Sequence, residues 1–259
     1  MFSTASTSRF VGLLGAWLAF AGAATALAGE NEAGRVYIEN LTAREFGGHS
    51  QVFDTAHSPD GLVYAANRGA VLCYDGERWD HASVPTTWIR GLVWAPDRRV
   101  YVAGTDEIGW CAHDPDGVFR YHSLLDQLPA DDRTVGPAWS VEAFGDAVFF
   151  ATSTHVYRWQ HGQLRAFAMA AAPRAVLQAI AGRLFLLRTG DALYEWRGDN
   201  FDAFSRAPEL TGSLRFALFE PAPGRLVAAV ADGSLLDVHE GTVTPWACPA
   251  AAWMHEAGF

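Results

Sequence analysis

Val52–Trp79 reads VFDTAHSPDGLVYAANRGAVLCYDGERW, and Ile89–Gly104 repeats its first part as IRGLVWAPDRRVYVAG. The two copies align Tyr64 with Tyr101. Weaker copies place Phe149, Phe185 and Val227 at the same point, so the successive steps are 37, 48, 36 and 42 residues. A period of about 40 residues that carries several strands is typical of the blades of a β-propeller.

Each copy contains short β-branched or aromatic runs separated by turn signals such as Ser58–Gly61 and Asp75-Gly76. This pattern predicts an all-β protein, a β-propeller of about five blade-like repeats over residues 51–245. Residues 29–50 form a lead-in with a strand at Val36–Ile38, and residues 246–259 read as the start of a further repeat. We therefore expect an incomplete, open propeller that self-associates through its exposed edges.

Residues 1–28 have the pattern of a signal peptide. Arg9 is the only charged residue before an apolar run, and Ala26-Leu27-Ala28 supplies the small residues at which cleavage before Gly29 is expected. A retained membrane anchor is the alternative, although the run of about 16 residues is short for a bilayer. The sequence thus predicts a periplasmic or secreted protein with no membrane span after cleavage.

The charge balance excludes several classes of partner. The chain has no lysine, and its 19 basic residues face 29 acidic ones, for a net charge of −10. We expect no binding to nucleic acid or to anionic lipid, because both require a basic surface. Cys73, Cys111 and Cys248 are interpreted as buried apolar residues rather than as a disulfide or a metal site, because equivalent positions in adjacent blades lie too far apart for a bridge.

Several segments resemble the periplasmic propeller repeats of two-component regulators, found in hybrid histidine kinases and related diguanylate cyclases. The matching stretches are Asn40–Phe46 (NLTAREF), Pro59–Tyr64 (PDGLVY), Gly69–Trp79 (GAVLCYDGERW), Glu107–Trp110 (EIGW) and Tyr121–Pro129 (YHSLLDQLP). The resemblance implies a ligand-sensing module outside the cytoplasm. Family members continue into further blades, a membrane helix and a signalling output, none of which precedes Phe259. The resemblance therefore implies a truncated sensor that lacks its output domain.

No catalytic residues, metal ligands or cofactor motifs are predicted. The nine histidines lack zinc-binding spacing, and a phosphate-binding loop of the Walker type needs a lysine. The rival enzyme hypothesis, a propeller hydrolase or lactonase, needs acidic residues and asparagine that converge on a metal in the channel. The inner-strand starts instead carry Gln51, Trp88, Arg90, Trp139, Arg174 and Arg215.

Trp88, Arg90 and Trp139 are the candidate ligand-binding residues. They are placed where propeller loops open onto the central channel, and an arginine beside a tryptophan can hold an anionic or sugar ligand. Packing or solvent exposure is the alternative for these three. Trp79, Trp110, Trp159 and Trp196 follow the repeat period and are interpreted as packing residues rather than as a sugar-stacking platform. The partner is thus an unidentified small molecule or, if the protein is an interaction scaffold, another envelope protein.

Overall fold

The computed structural model describes residues 40–213 and 216–248. It contains five four-stranded antiparallel sheets, and in each the strands lie side by side in chain order. Blade 1 contains β1 (Asp54–His57), β2 (Val63–Asn67), β3 (Ala70–Tyr74) and β4 (Trp79–Ser83). Blade 2 contains β5 (Ile89–Ala95), β6 (Arg99–Gly104), β7 (Glu107–His113) and β8 (Phe119–Ser123). Blade 3 contains β9 (Ala138–Phe144), β10 (Ala147–Thr152), β11 (His155–Gln160) and β12 (Gln163–Ala168). Blade 4 contains β13 (Ala175–Ile180), β14 (Arg183–Arg188), β15 (Ala192–Arg197) and β16 (Asn200–Ser205). Blade 5 contains β17 (Phe216–Ala222), β18 (Arg225–Val230), β19 (Leu235–His239) and β20 (Thr242–Pro245).

Helical structure in the described part of the chain is confined to the connections between blades. Two 3-10 turns, Leu125–Gln127 and Ala130–Asp132, lie between blades 2 and 3 and explain why that step is the longest in the sequence. A single α-helical turn, α1 (Pro208–Thr211), connects blades 4 and 5. The all-β prediction is therefore confirmed.

The five residues that define the repeat occupy matching places. Tyr64, Tyr101, Phe149, Phe185 and Val227 all lie in the second strand of their blade, and each is at most 5% exposed. The first four pack into four successive hydrophobic clusters between neighbouring blades. Second strands such as β10 are buried along their whole length, because a sheet lies on each of their faces.

The inner strands are also joined by polar contacts. Leu92 N–H donates to Asp54 Oδ2 (2.8 Å), and Leu177 N–H donates to Ser140 Oγ (2.8 Å). The Gln178 side chain accepts from Leu218 N–H (2.7 Å) and donates to Leu218 O (2.6 Å). These side chains satisfy backbone groups at the inner edge of each sheet that have no neighbouring strand.

The blades form an open arc. Contacts join the inner strands of blades 1 and 2, 2 and 3, 3 and 4, and 4 and 5. No comparable contact joins β17 to β1 among residues 40–213 and 216–248. The prediction of about five blades in an unclosed propeller is confirmed.

The lead-in covers one face of blade 1. Leu41, Ala43 and Phe46 pack on Ala65, Ala70, Leu72 and Trp79. The Phe46 and Trp79 ring centroids are 5.8 Å apart. At the other end of the arc, Trp246 lies against Phe219 of β17 (6.1 Å). Self-association through open edges stays a prediction. The packing of the lead-in removes part of the apolar surface of blade 1 that could otherwise drive it.

Other predictions fall wholly or partly outside the described residues. The proposed signal peptide (residues 1–28), the strand at Val36–Ile38 and residues 249–259 are among those not described, and residues 246–248 form no strand. No helix in the described part of the chain is long and apolar enough to cross a membrane. Cys73 and Cys111 are free and buried in one hydrophobic cluster, whereas Cys248 is only half-buried.

Replacing Phe46 with alanine tests the cover on blade 1. We expect Phe46→Ala to lower the free energy of unfolding by about 2–3 kcal/mol and to promote association, because Leu72 and Trp79 become accessible. Urea unfolding and light scattering measure the two effects. Val118→Ala is the control, since Val118 is 47% exposed. Unchanged stability and an unchanged monomer fraction in Phe46→Ala would show that the lead-in does not protect this face.

Candidate ligand-binding site

Two β-bulges determine where the candidate side chains point. In blade 2, Ile89 pairs with Gly104 and Gly91 pairs with Ala103, so Arg90 is an extra residue in β5. In blade 3, Ala138 pairs with Thr152 and Ser140 pairs with Ala151, so Trp139 is an extra residue in β9. A bulge redirects a side chain and is often found beside functional sites. Because both strands have a bulge at the equivalent place, the side chains of Arg90 and Trp139 do not follow the alternation of side chains between the two faces of β5 and β9.

The bulged residues meet each other at the interface of blades 2, 3 and 4. The guanidinium carbon of Arg90 lies 4.4 Å from the centroid of the Trp139 ring. Arg174, the residue directly before β13, places its guanidinium carbon 5.9 Å from the same ring. Trp139 Nε1 donates to Ser153 Oγ (3.1 Å), which fixes the plane of the indole. Three consecutive blades thus contribute one residue each to an Arg–Trp–Arg cluster.

The positive charges of this cluster have no counter-charge within the described chain. Neither Arg90 nor Arg174 forms an ion pair with a described residue, and the Nε atoms of both are buried without a hydrogen-bond partner there. Burial, and then the nearby charge of Arg174, lower the pKa of Arg90, although an arginine remains charged in proteins. Buried donors without partners are costly. In a protein of net charge −10 such a pair is suited to an anion from outside the chain.

A third arginine lies behind the cluster. Arg188 at the end of β14 is fully buried and donates from Nη2 to Ser153 O (3.0 Å) and to Ala170 O. Its Nε lies 3.7 Å from Asp191, a carboxylate that also pairs with Arg206 (3.1 Å). Ser153 therefore contacts Arg188 through its carbonyl and Trp139 through its hydroxyl. Arg188, whose charge is paired with Asp191, thus contacts the cluster through Ser153.

Trp88, the third predicted site residue, lies apart from the cluster. Its ring packs edge-on against Phe53 (5.5 Å) and lies near the Arg68 guanidinium (5.6 Å), and its side chain is 42% exposed. The structure thus brings Arg90 and Trp139 together and places Trp88 in a different contact. Arg174 and Arg188 were not predicted as site residues. The position of Arg174 directly before an inner strand was the available signal, whereas nothing in the sequence marks Arg188.

All four periodic tryptophans are half-buried and pack against the hydrophobic clusters, and three of them also contact other rings. Trp79 stacks on Tyr74 (4.6 Å), and Trp196 contacts Phe149 (5.0 Å). Trp110 has His122 stacked on it (4.0 Å) and the Arg99 guanidinium carbon 3.9 Å from its centroid. Their role is packing, as predicted. Trp159 has a different environment, described below.

Glu142 lies further along β9 than Trp139. Its Oε1 accepts a hydrogen bond from Ala179 N–H (3.2 Å) of blade 4. Burial, with a smaller contribution from the charge of Asp54, raises the pKa of Glu142 to about 7. No group of three or more His, Cys, Asp or Glu side chains that could hold a metal ion occurs among the described residues.

Comparison with known proteins identifies the fold. No family model matches the sequence, and no curated protein matches it significantly. Among solved structures, virginiamycin B lyase from Staphylococcus aureus superimposes with a TM-score of 0.58 at 12% identity, covering 80% of this chain and 72% of that one. The WD40 β-propeller domain of Doa1 has a TM-score of 0.53 at 17% identity, covering 76% and 68%. The extracellular domain of a hybrid two-component system from B. thetaiotaomicron has a TM-score of 0.50 at 13% identity, covering 76% of this chain and 27% of that one. The chain is therefore a β-propeller.

The raised pKa of Glu142 predicts a pH-dependent stability. A carboxyl whose pKa is about 7 when folded and about 4.5 when unfolded binds more protons in the folded state between these values, so stability falls as the pH rises from about 4.5 to 7. Glu142→Gln keeps the acceptor for Ala179 N–H and removes the charge. We expect this variant to exceed the wild type in free energy of unfolding at pH 7.5 by up to about 3 kcal/mol, with no difference near pH 4.5. Urea unfolding across this range measures the difference, and a gap that is constant with pH would contradict the assignment.

Proposed function

We propose that this protein is a non-enzymatic ligand-binding propeller module, sensor-like in function and located in the periplasm or outside the cell. Its ligand carries an anionic group that binds between Arg90 and Arg174 beside Trp139. The observation that carries the proposal is the pair of arginines with buried, unpartnered Nε atoms and no carboxylate to neutralise them.

An anion accounts for several features of the cluster at once. It would accept charged hydrogen bonds from the two guanidinium groups and would offset the repulsion between them. The indole of Trp139, held by Ser153, stabilises the guanidinium of Arg90 by a cation–π contact and keeps its donors pointing in one direction. Because side chains of three blades build the site, an occupied site would tie together blades 2, 3 and 4.

The absence of catalytic chemistry at the cluster supports binding rather than turnover. The polar groups recorded against Trp139 are two guanidiniums and one hydroxyl, and Ser153 already accepts a hydrogen bond. No described histidine or carboxylate forms a hydrogen bond or an ion pair with Arg90 or Arg174. The sensor-like role and the location are supported by the N-terminal sequence pattern and by the resemblance to two-component propellers.

Anion titration tests the proposal. Sulfate and benzoate are added to the purified protein at constant ionic strength in chloride, and binding is measured by calorimetry and by the shift of the melting temperature. We expect at least one of the two probes to bind. Arg90→Gln and Arg174→Gln should each weaken that binding about 10-fold or more, because each removes a charged hydrogen bond.

Arg78→Gln is the matched control, because Arg78 is exposed in a hairpin turn of blade 1 and loses the same charge. Its affinity should equal that of the wild type. No binding of either probe, or equal loss of affinity in all three variants, would contradict an anion site at this cluster.

A further inference from the structure

A cavity lies between blades 2 and 3. It is at the opposite end of the inner strands from Arg90 and Trp139. Its volume is about 670 Å³. Blade 2 contributes the end of β5 and the following turn, including Asp97. Blade 3 contributes the turn before β10, including Asp146, and the end of β11 with Trp159. Nothing in the proposed anion site involves these residues.

Trp159 has an exact counterpart in the next blade. Arg158 pairs with Phe149 and is followed by Trp159, and Glu195 pairs with Phe185 and is followed by Trp196. Since Phe149 and Phe185 are equivalent repeat positions, Trp159 and Trp196 are equivalent too.

The two tryptophans differ in what lies against them. Trp196 contacts the rings of Phe149 (5.0 Å), Phe201 (5.0 Å) and Phe167 (5.5 Å), and the guanidinium carbon of Arg158 lies 5.5 Å from its centroid. Trp159 makes no ring stacking and no cation–π contact with any described residue. Its half-buried indole packs against the hydrophobic cluster between blades 2 and 3 and also lines the cavity. Blade 3 therefore places a guanidinium on Trp196 at its interface with blade 4, whereas no described guanidinium lies over Trp159 at the interface between blades 2 and 3.

The repeat explains why this cation is missing. In blade 2 the position equivalent to Arg158 is Trp110, which pairs with Tyr101 as Arg158 pairs with Phe149. Trp110 is itself enclosed by Arg99 and His122. Arg99 is the one arginine at the cavity, and its guanidinium lies over Trp110 rather than over Trp159.

Carboxylates border the cavity from both blades. Asp97 accepts a hydrogen bond from Tyr101 Oη (2.7 Å) and lies 3.6 Å from Arg99 Nη1. Asp146 accepts a hydrogen bond from Gln160 Nε2 (2.7 Å) and lies 3.0 Å from His161 Nε2. The hydrogen bond from Gln160 is the main cause that holds the pKa of Asp146 below its usual value, so this group is ionised at neutral pH. These contacts fix both carboxylates at the rim of the cavity that Trp159 lines.

We propose that this cavity is a binding site for an organic cation, an amidinium, guanidinium or ammonium group on a small apolar body. The cation would lie against Trp159, in the role that the Arg158 guanidinium has at Trp196, with Asp97 and Asp146 as its counter-charges. Aromatic faces and carboxylates together favour such ligands by cation–π attraction and ion pairing.

Binding of benzamidinium, compared with neutral benzamide of the same shape, tests this site in the full chain. We expect benzamidinium to bind at least about 10-fold more tightly than benzamide by calorimetry or ligand-detected NMR. Trp159→Leu should weaken benzamidinium binding by about 3- to 30-fold. Asp97→Asn and Asp146→Asn should each weaken it while leaving benzamide unaffected, and both positions are exposed enough for the variants to fold.

Asp202→Asn is the control for charge, since Asp202 is an exposed aspartate of blade 4 away from the cavity. It should bind benzamidinium as the wild type does. Equal affinity for the charged and neutral probes, or equal weakening by Asp146→Asn and Asp202→Asn, would overturn the cation site. The anion titration with Arg90 and Arg174 variants is independent of these results.

Discussion

Face-to-face packing of sheets is the constraint on which this structure depends. A four-stranded blade with two apolar faces is stable only when another layer lies on each face. Strands such as β10 and β14 accordingly carry consecutive apolar residues, Val148–Ala151 and Leu184–Leu187, rather than alternating apolar and polar ones. The repeat spaces Tyr64, Tyr101, Phe149 and Phe185 so that each fills the interface to the following blade. Where the arc has no neighbouring blade, the lead-in with Phe46 covers blade 1.

The same packing leaves room for function at the ends of the inner strands. Residues in the middle of a blade must fill the core, whereas a bulge at the start of β5 or β9 frees one side chain from that role. Arg90 and Trp139 occupy these two positions, and Arg174 directly precedes the next inner strand. Arg90 and Trp139 are 49 positions apart in the chain, and Trp139 and Arg174 are 35 positions apart. These three residues come together because equivalent positions of neighbouring blades stack on one another. The cavity at Trp159 likewise lies between equivalent positions of neighbouring blades, at the other end of the inner strands.

The sequence was sufficient for the fold because the repeat is visible in it. The alignment of Tyr64 with Tyr101 and the turn residues of each copy predicted the blades, and every repeat position lies where expected. The site was predicted only in part, because pairing across blades depends on bulges that a strand pattern does not reveal. Trp88 has the same residue type as Trp139 but lies outside the bulge and packs on Phe53. Arg188 ends an apolar run, and its role follows only from its contact with Ser153.

The proposed function requires that Arg90 and Arg174 bind an anion that the described residues do not supply. A crystal structure of the protein soaked in selenate, with anomalous scattering recorded at the selenium edge, tests it most directly. We expect a selenium peak in hydrogen-bonding contact with the guanidinium groups of both arginines beside Trp139, and no such peak in Arg90→Gln crystals. Guanidinium groups that pair with carboxylates of the protein itself, with no anomalous density between them, would contradict it.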